Sequence, residues 1–274
     1  ILIDEVQEIE CWEKSVRSYR MEDDTDIIIT GSNSKMLSSE LGTLIGGRYQ
    51  EIYIQSLSYQ EFLLFHGLEE SDEALWKYLN YGGLPGLMQI GLDDEDLVWD
   101  YIKGVYHTVM LKDIVERNSI RNVAFLNTLL RYFADTIGKL NSLNNISKFM
   151  KSQGQDVAVK SIASYLGYVK DAYLLSTVDR FDIHGKKLLE SNEKLYFSDI
   201  GLRNLIAGGE RQGDMEKILE NVVYQQLLRM GYTVNVGQLR VGEVDFVCTK
   251  SNERIYVQVT YLIASEETED REFG

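Results

Sequence analysis

The seven residues Ile1-Leu2-Ile3-Asp4-Glu5-Val6-Gln7 decide how the fold of this chain begins. Three apolar residues lead directly into two carboxylates, and a short continuous apolar run is typical of a strand buried on both faces. Side chains that follow such a strand lie where open parallel sheets bind their ligands. The stretch therefore predicts a ligand-binding edge at Asp4 and Glu5; the alternative is an ordinary strand that ends in an acidic turn.

A second apolar run, Asp26-Ile27-Ile28-Ile29-Thr30, predicts a second buried strand. Between the two runs apolar residues recur at helical spacing, so residues Glu8–Met21 are predicted to form a helix with one apolar face. A strand, a helix and a strand in this order form a βαβ unit, which favours a parallel sheet. The turn Gly31–Ser34 then leads into a short helix predicted at Lys35–Leu41.

Composition and charge limit the classes of protein to which this chain can belong. It has 274 residues, 44% of them hydrophobic, which is enough for two or three modest domains. No apolar run is long enough to span a bilayer, and the two cysteines lack zinc-ligand spacing, so a reducing, cytoplasmic location is expected. Residues 1–100 hold 21 of the 43 acidic residues but only 6 of the 28 basic ones. A nucleic-acid surface is therefore expected only after residue 100.

Two further motifs follow the predicted βαβ unit. The first is Gly46-Gly47-Arg48, which precedes an alternating stretch predicted to be a strand at Tyr49–Ile54. The second is Leu57-Ser58-Tyr59-Gln60-Glu61-Phe62, in which Ser58 and Glu61 have the spacing of a capping box. A helix is therefore predicted to begin after Ser58.

The order of these motifs resembles AAA-type ATPases of bacteria and archaea whose C-terminal half is a domain of unknown function. The resemblance implies that Asp4 holds Mg²⁺ and that Glu5 polarises the water that attacks the γ-phosphate of ATP. It also implies that Ser32 or Asn33 positions this water. Arg48 would sense or stabilise phosphate charge; the alternative is an ordinary salt-bridged arginine. ATP and Mg²⁺ are the cofactors that the resemblance implies for the full-length protein.

One feature of the sequence departs from this family. The chain has no G-x-x-x-x-G-K-[ST] stretch, and that loop supplies the backbone donors and the lysine that hold the phosphates. We therefore expect this chain by itself to bind ATP weakly or not at all. Residues 1–67 are interpreted as the C-terminal part of an AAA-type nucleotide domain, in a fragment of a longer protein.

Residues 68–138 are predicted to be a helical lid with linker helices. Helical spacing of apolar residues predicts helices at Glu70–Tyr81, from about Leu97 to Arg117, and at Ala124–Ile137. In the resembling family the Gly-Gly-Leu-Pro motif after Tyr81 belongs to this lid. The alternative for that motif is a rigid turn between helices.

Residues 139–192 are predicted to be a winged helix, which the resembling family also has at this place. Helices at Asn144–Ser152 and Val159–Tyr173 flank a short polar turn, as in a helix-turn-helix, and a hairpin follows. The candidates for contact with DNA are basic or polar residues of the second helix and the wing: Lys160, Ser161, Arg180, Lys186 and Lys187. The alternative is a domain-packing module, because a net charge of +3 between Lys139 and Glu190 is modest for phosphate binding.

Residues 193–274 are similar to the PD-(D/E)xK nuclease fold, truncated at its end. A helix at Asp214–Met230 precedes three strands. In active members of that fold, acids bind Mg²⁺ and a lysine activates the attacking water. Glu220 and Asp245 match the acids, but Gln258 and Thr260 stand where an acid and the lysine are usual. The sequence therefore predicts a nuclease-like fold whose catalytic set is incomplete.

The sequence as a whole predicts an α/β fold that begins as a partial AAA-type parallel sheet. A helical lid, a winged helix and an α+β nuclease-like domain follow it. The function that fits this order is ATP hydrolysis in the full-length protein, coupled to a C-terminal module that binds nucleic acid or a partner. The alternatives are a DNA-binding or Mg²⁺-dependent nuclease-like effector and a non-catalytic scaffold. DNA, a protein partner and a second copy are the expected partners, and a membrane is not.

Overall fold

The computed structural model describes five ranges of the chain. They are residues 1–19, 25–32, 49–185, 187–209 and 212–261. The described part is a mixed α/β structure with a small parallel sheet, a helical region and a five-stranded sheet. None of the described helices has the length and apolar character that crossing a bilayer requires.

The chain begins with the predicted βαβ unit. Strands β1 (Leu2–Ile3) and β2 (Ile28–Ile29) pair in parallel, and helix α1 (Trp12–Tyr19) lies between them in sequence. The helix begins later than predicted because Val6–Glu8 form a 3₁₀ turn and Cys11 has a positive φ of 56°. Buried Val6, Trp12 and Val16 form a small core with Ile3, Ile27 and Ile29. This apolar contact holds the two short strands together.

The structure contradicts one strand prediction in this region. Residues Tyr49–Ile54 belong to no strand of the described chain, and Ile52 and Ile54 are largely exposed. An alternating pattern forms a strand only where another strand pairs with it, and none of the described strands lies beside this one. The helix predicted at Lys35–Leu41 lies outside the described residues.

The helical region follows the capping box, whose predicted geometry is confirmed. The Ser58 hydroxyl accepts from the Glu61 amide at 3.3 Å, and the Glu61 carboxylate accepts from the Ser58 amide at 2.7 Å. A series of helices follows, most of them capped by Ser, Asp or Asn. They are α2 (Tyr59–His66), α3 (Asp72–Tyr81), the short α4 (Leu87–Ile90), α5 (Glu95–Thr108), α6 (Val123–Asp135), α7 (Leu143–Ser152) and α8 (Val159–Asp171).

The long helix predicted to end near Arg117 contains an irregular segment. Helix α5 continues directly into a π-helical segment, Val109–Glu116. Single π-helical turns are rare and are often found at functional sites. This segment lies next to the carboxyl end of the small parallel sheet, as described below.

The second half of the chain forms one five-stranded sheet. It consists of β3 (Leu175–Asp182), β4 (Lys187–Phe197), β5 (Thr233–Gln238), β6 (Glu243–Lys250) and β7 (Glu253–Val257). The strand order is β4-β3-β5-β6-β7, with β3 and β5 parallel and the other pairs antiparallel. The hairpin predicted as a wing therefore shares a sheet with the three C-terminal strands. The predicted boundary between residues 192 and 193 falls inside β4.

Helix α9 (Ile200–Ala207) lies at the centre of the packing and is buried along almost its whole length. Its Arg203 is 0% exposed; its Nε donates to the Ala134 carbonyl at 2.8 Å and its Nη2 to Asp214 at 2.6 Å. The neighbouring Asn204 amide donates to the carbonyls of Leu79 and Asn80. These carbonyls belong to the last turns of α3 and α6, where helices have no internal donors. The buried polar side chains of α9 supply the donors that these carbonyls need.

Helix α10 (Met215–Arg229) connects the helical region to the sheet. Asn221 and Gln225 donate to the carbonyl of Phe197 at the end of β4. At its last turn Arg229 donates to the carbonyl of Ser56, which precedes the capping box. One helix therefore contacts both the sheet and the start of the helical region.

Replacing Arg203 with methionine tests this arrangement. Arg203→Met removes the donor to Ala134 and, among the described residues, leaves Asp214 with the Lys217 ion pair at 2.5 Å. We expect the free energy of unfolding to fall by about 3 kcal/mol, as for other broken buried ion pairs. Guanidinium denaturation followed by circular dichroism measures this. The control is Lys151→Met, which removes an exposed ion pair with Asp156 and should change stability little; equal losses in both variants would contradict the central role of α9.

Candidate functional site

The carboxyl ends of β1 and β2 are joined by side chains. The Thr30 hydroxyl, directly after β2, donates to Asp4 Oδ1, directly after β1. The same hydroxyl accepts from the Glu5 amide at 3.1 Å, and the Thr30 carbonyl accepts from the Val6 amide at 3.0 Å. Asp4 and Glu5 are both exposed. The two carboxylates predicted from the sequence therefore stand at the edge of a parallel sheet, facing solvent.

Glu5 has an unusual backbone conformation at this edge. Its φ of 46° and ψ of 53° lie in the left-handed region, which residues other than glycine adopt infrequently. Such residues are concentrated at functional sites, where surrounding contacts hold them in place. Here the contacts are those of the Glu5 and Val6 amides with Thr30.

The π-helical segment brings a third carboxylate to the same edge. The Ser32 hydroxyl donates to Asp113 Oδ1 at 3.1 Å, and Arg117 Nη2 lies 3.5 Å from that oxygen. Burial raises the pKa of the Asp113 carboxyl, although Ser32 and Arg117 act against this, and the negative charge of Glu5 raises it further. Arg117 Nη1 is buried and has no hydrogen-bond partner among the described residues. A polar site thus forms between the strand ends and the long helix.

The structure places some of the predicted residues at this edge and leaves others undescribed. Asp4, Glu5 and Ser32 lie here, and their chemical roles stay predictions. Asn33 and Arg48 lie outside the described residues. Sequence reasoning missed Asp113 and Arg117, since nothing but their spacing of four on a helix distinguishes them from other charged pairs.

A second group of acidic side chains lies on the five-stranded sheet. Glu220 of α10 and Asp245 of β6, the two acids singled out in the sequence, both contact the ammonium of Lys194 on β4. Lys194 Nζ lies 2.8 Å from Glu220 Oε1, 2.8 Å from Glu243 Oε1 and 3.5 Å from Asp245 Oδ1. We call these four residues the carboxylate–lysine cluster. Sequence reasoning missed its lysine, which lies on a different strand from the one where a lysine is usual.

Protein donors surround the carboxylates of this cluster. The Tyr196 hydroxyl donates to Glu220 Oε1 at 2.5 Å, and the Val259 amide donates to Asp245 Oδ2 at 2.9 Å. Gln258 lies close by, where its Oε1 accepts from the Asp245 amide at 3.2 Å. Within the described ranges, no cluster of three or more Asp, Glu, His or Cys side chains is arranged to hold a metal ion.

Burial and mutual charge shift the acid–base properties of this cluster. Burial raises the pKa of Glu220 and of Asp245. Burial by itself would lower the pKa of Lys194, but the charges of Glu220 and Glu243 outweigh it and raise the pKa above its usual range. Lys194 is therefore positively charged at neutral pH.

The residues predicted to contact DNA are dispersed. Lys160 is exposed in the first turn of α8, whereas Ser161 is half-buried. Arg180 lies within β3, between β4 and β5, and its Nε is buried without a hydrogen-bond partner in the part of the chain that the structure describes. Lys186 and the side chain of Lys187 lie outside the described part of the chain. Of the described basic candidates, Lys160 is exposed and Arg180 is half-buried.

Comparison with known proteins identifies two families. Residues 72–213 match the domain of unknown function DUF8612, and residues 1–63 match a family described as AAA domain. An uncharacterized protein of Haemophilus influenzae is 37% identical over 266 residues, which are 96% of this chain and 66% of that protein. The uncharacterized protein MJ1544 of Methanocaldococcus jannaschii is 33% identical over 294 residues, 99% of this chain and 63% of that protein. The chain thus spans just under two thirds of the length of these curated relatives.

The pKa of Asp113 leads to a prediction on stability. A carboxyl whose pKa is raised by folding stabilises the protein below its unfolded pKa, and this contribution is lost as pH rises through the folded pKa. The side chain in Asp113→Asn is neutral at every pH. As the pH rises from about 4 to about 7, this variant should therefore lose less stability than the wild type. Urea unfolding midpoints at both pH values measure the difference. The control is Glu116→Gln, which changes an exposed carboxylate in the same segment and should behave as the wild type. If the unfolding midpoint of Asp113→Asn falls by as much as that of the wild type, the pKa of Asp113 is not raised by folding.

Proposed function

The chain belongs to the family of the domain of unknown function DUF8612, and on that premise we propose that it is part of an ATP-hydrolysing AAA-type protein. The AAA match covers residues 1–63, which include the strand ends with Asp4 and Glu5. The helical region and the five-stranded sheet then form the module that ATP hydrolysis drives. The relatives extend beyond this chain, so the proposal concerns a longer protein that also carries a phosphate-binding loop.

The observation that carries this proposal is the hydrogen bonding of Asp4, Glu5 and Thr30 at the ends of two parallel strands. Exposed carboxylate and hydroxyl oxygens are ligands that suit Mg²⁺, directly or through water. In this proposal Asp4 holds the ion that neutralises phosphate charge, and Thr30 fixes the orientation of Asp4. Glu5, next to it, orients the attacking water.

The contact between Ser32 and Asp113 connects this edge to the module. Ser32 follows β2, where the resemblance puts the residue that positions water, and Asp113 lies on the π-helical segment. A change in the hydrogen bonding of Ser32 during hydrolysis would alter its contact with the long helix. The π-helical segment, which is less regular than the helix that precedes it, is suited to such a shift.

Glu5→Gln in the full-length protein tests the proposed chemistry. Glutamine keeps the size of the side chain but cannot polarise water as a carboxylate does, so ATP hydrolysis should fall by about 100-fold or more. Binding of ATP, measured by calorimetry, should be retained. The control is Glu8→Gln, which changes an exposed carboxylate on the adjacent 3₁₀ turn and should keep the wild-type rate of phosphate release. Wild-type hydrolysis by Glu5→Gln would rule out the proposed role.

A second candidate function is binding of nucleic acid by α7 and α8. Two short helices separated by a polar turn precede the antiparallel hairpin of β3 and β4, and this order is that of a winged helix. Lys160 is exposed at the start of α8 and is the described residue that favours this candidate. The position of Arg180 inside the sheet argues for a small contact surface.

The salt dependence of DNA binding tests this second candidate. Lys160→Ala should weaken binding to a fluorescent DNA duplex of mixed sequence and lower the slope of log affinity against log salt by about one. Fluorescence anisotropy at several salt concentrations measures both. Lys103→Ala, an exposed lysine of α5, is the matched control and should leave both unchanged. Equal slopes for the two variants would assign α7 and α8 to packing or to a protein partner.

A further inference from the structure

The carboxylate–lysine cluster contains a cation that belongs to the chain itself. Lys194 is 1% exposed and lies among Glu220, Glu243 and Asp245. We propose that the Lys194 ammonium takes the place of a divalent metal ion in this nuclease-like cluster, so that the cluster is held together without metal and does not hydrolyse phosphodiesters.

The number of donors on Lys194 matches the number of carboxylates. An ammonium group has three N–H donors and no acceptor. Three carboxylate oxygens lie around Nζ, two at 2.8 Å and one at 3.5 Å. With its donors directed at Glu220, Glu243 and Asp245, Lys194 has none left to orient a water or to stabilise charge on a substrate. It therefore cannot act as the lysine of an active nuclease.

The spacing of the carboxylates suits an ammonium better than a metal. Mg²⁺ binds oxygen ligands at about 2.0–2.1 Å and tolerates little deviation. The oxygens here surround a centre from which they lie 2.8–3.5 Å away. A metal ion would require these oxygens to move inward and Lys194 to leave, and Lys194 is fixed on β4 opposite Val178 of β3. Moving it would leave a buried ammonium without a partner, which is costly.

Protein donors also bind oxygens of Glu220, Asp245 and Gln258 in this cluster. Tyr196 donates to the Glu220 oxygen that also binds Lys194, and the Val259 amide takes the second oxygen of Asp245. Gln258 Oε1, the neutral oxygen that could have bound a metal, accepts from the Asp245 amide. On the other side of Glu220 the backbone is so close that a Cβ at Gly138 would lie 2.5 Å from Oε2. While Lys194 occupies the centre of the cluster, a divalent ion therefore has no ready set of ligands here.

The consequence is that β4, α10 and β6 are joined by a permanent cation rather than by an exchangeable one. Lys194 comes from β4, Glu220 from α10, and Glu243 and Asp245 from β6. The Lys194 ammonium thus preserves the arrangement of these elements. It also excludes a metal ion, and with it the hydrolysis that a metal ion would support. The C-terminal unit then serves as a packing or binding module.

Manganese binding to the full chain tests this proposal without relying on a disruptive mutation. Asp4→Ala/Glu5→Ala is the background, so that the N-terminal carboxylates do not bind the ion. The Lys194 ammonium is observed by ¹⁵N NMR and assigned from its absence in Lys194→Arg. We expect a slowly exchanging signal that millimolar Mn²⁺ does not broaden. Broadening of this signal by Mn²⁺, or Mn²⁺-dependent DNA cleavage abolished by Asp245→Ala, would overturn the proposal.

A variant without the ammonium gives the complementary result. Lys194→Met in the same background leaves three carboxylates close together, and a divalent ion should relieve their repulsion. We expect this variant to gain a Mn²⁺ site with a dissociation constant of about 1 mM or lower, detected by electron paramagnetic resonance. Lys194→Arg, which keeps a cation, and Lys170→Met, which removes an exposed lysine bonded to Thr177, should gain none. A folded Lys194→Met that binds no Mn²⁺ would contradict the proposal; if this variant does not fold, the NMR experiment decides.

Discussion

The buried polar contacts of helix α9 are the constraint on which the rest of the structure depends. A short helix surrounded by other elements cannot leave charged or amide groups without partners. Arg203 and Asn204 satisfy carbonyls at the ends of α6 and α3, and Asp214 balances the guanidinium. Before its first turn Asp199 accepts from the Gly83 amide at 2.9 Å, which holds the Gly-Gly turn after α3. Because the start and the middle of α9 are fixed in this way, the helical region and the sheet are packed as one unit.

Exposure distinguishes the two acidic sites of the molecule. Asp4 and Glu5 stand at the end of a short parallel sheet and face solvent, so an ion and its waters have room to approach. Asp245 is buried and Glu220 is partly buried, and burial of carboxylates without a partner is costly, so their environment must contain a cation. Lys194 is that cation. Similar side chains are therefore open to solvent in one place and packed around a cation of the chain in the other.

The features that the sequence by itself determined are local. Periodic apolar residues specify the helices, because a helix needs one apolar face, and Ser58 with Glu61 specifies where a helix begins, because both groups lie within one turn. The position of Asp4 and Glu5 at a strand end follows from the apolar run before them. The alternating stretch Tyr49–Ile54 has the pattern of a strand but forms none. A strand needs a partner elsewhere in the chain, and the pattern of one stretch cannot specify that partner.

Only the tertiary structure decided which distant residues meet. Ser32 reaches Asp113, 81 positions away, and Lys194 reaches Glu220 and Asp245, 26 and 51 positions away. No spacing in the sequence indicates these contacts, because they depend on how the elements pack and on the order of strands in the sheet. For the same reason the sequence pattern points to Glu220 and Asp245 but not to Lys194, which binds them. The chemistry of a site depends on the charged groups that packing brings together. The sequence alone indicates contacts only between residues that are close to each other along the chain.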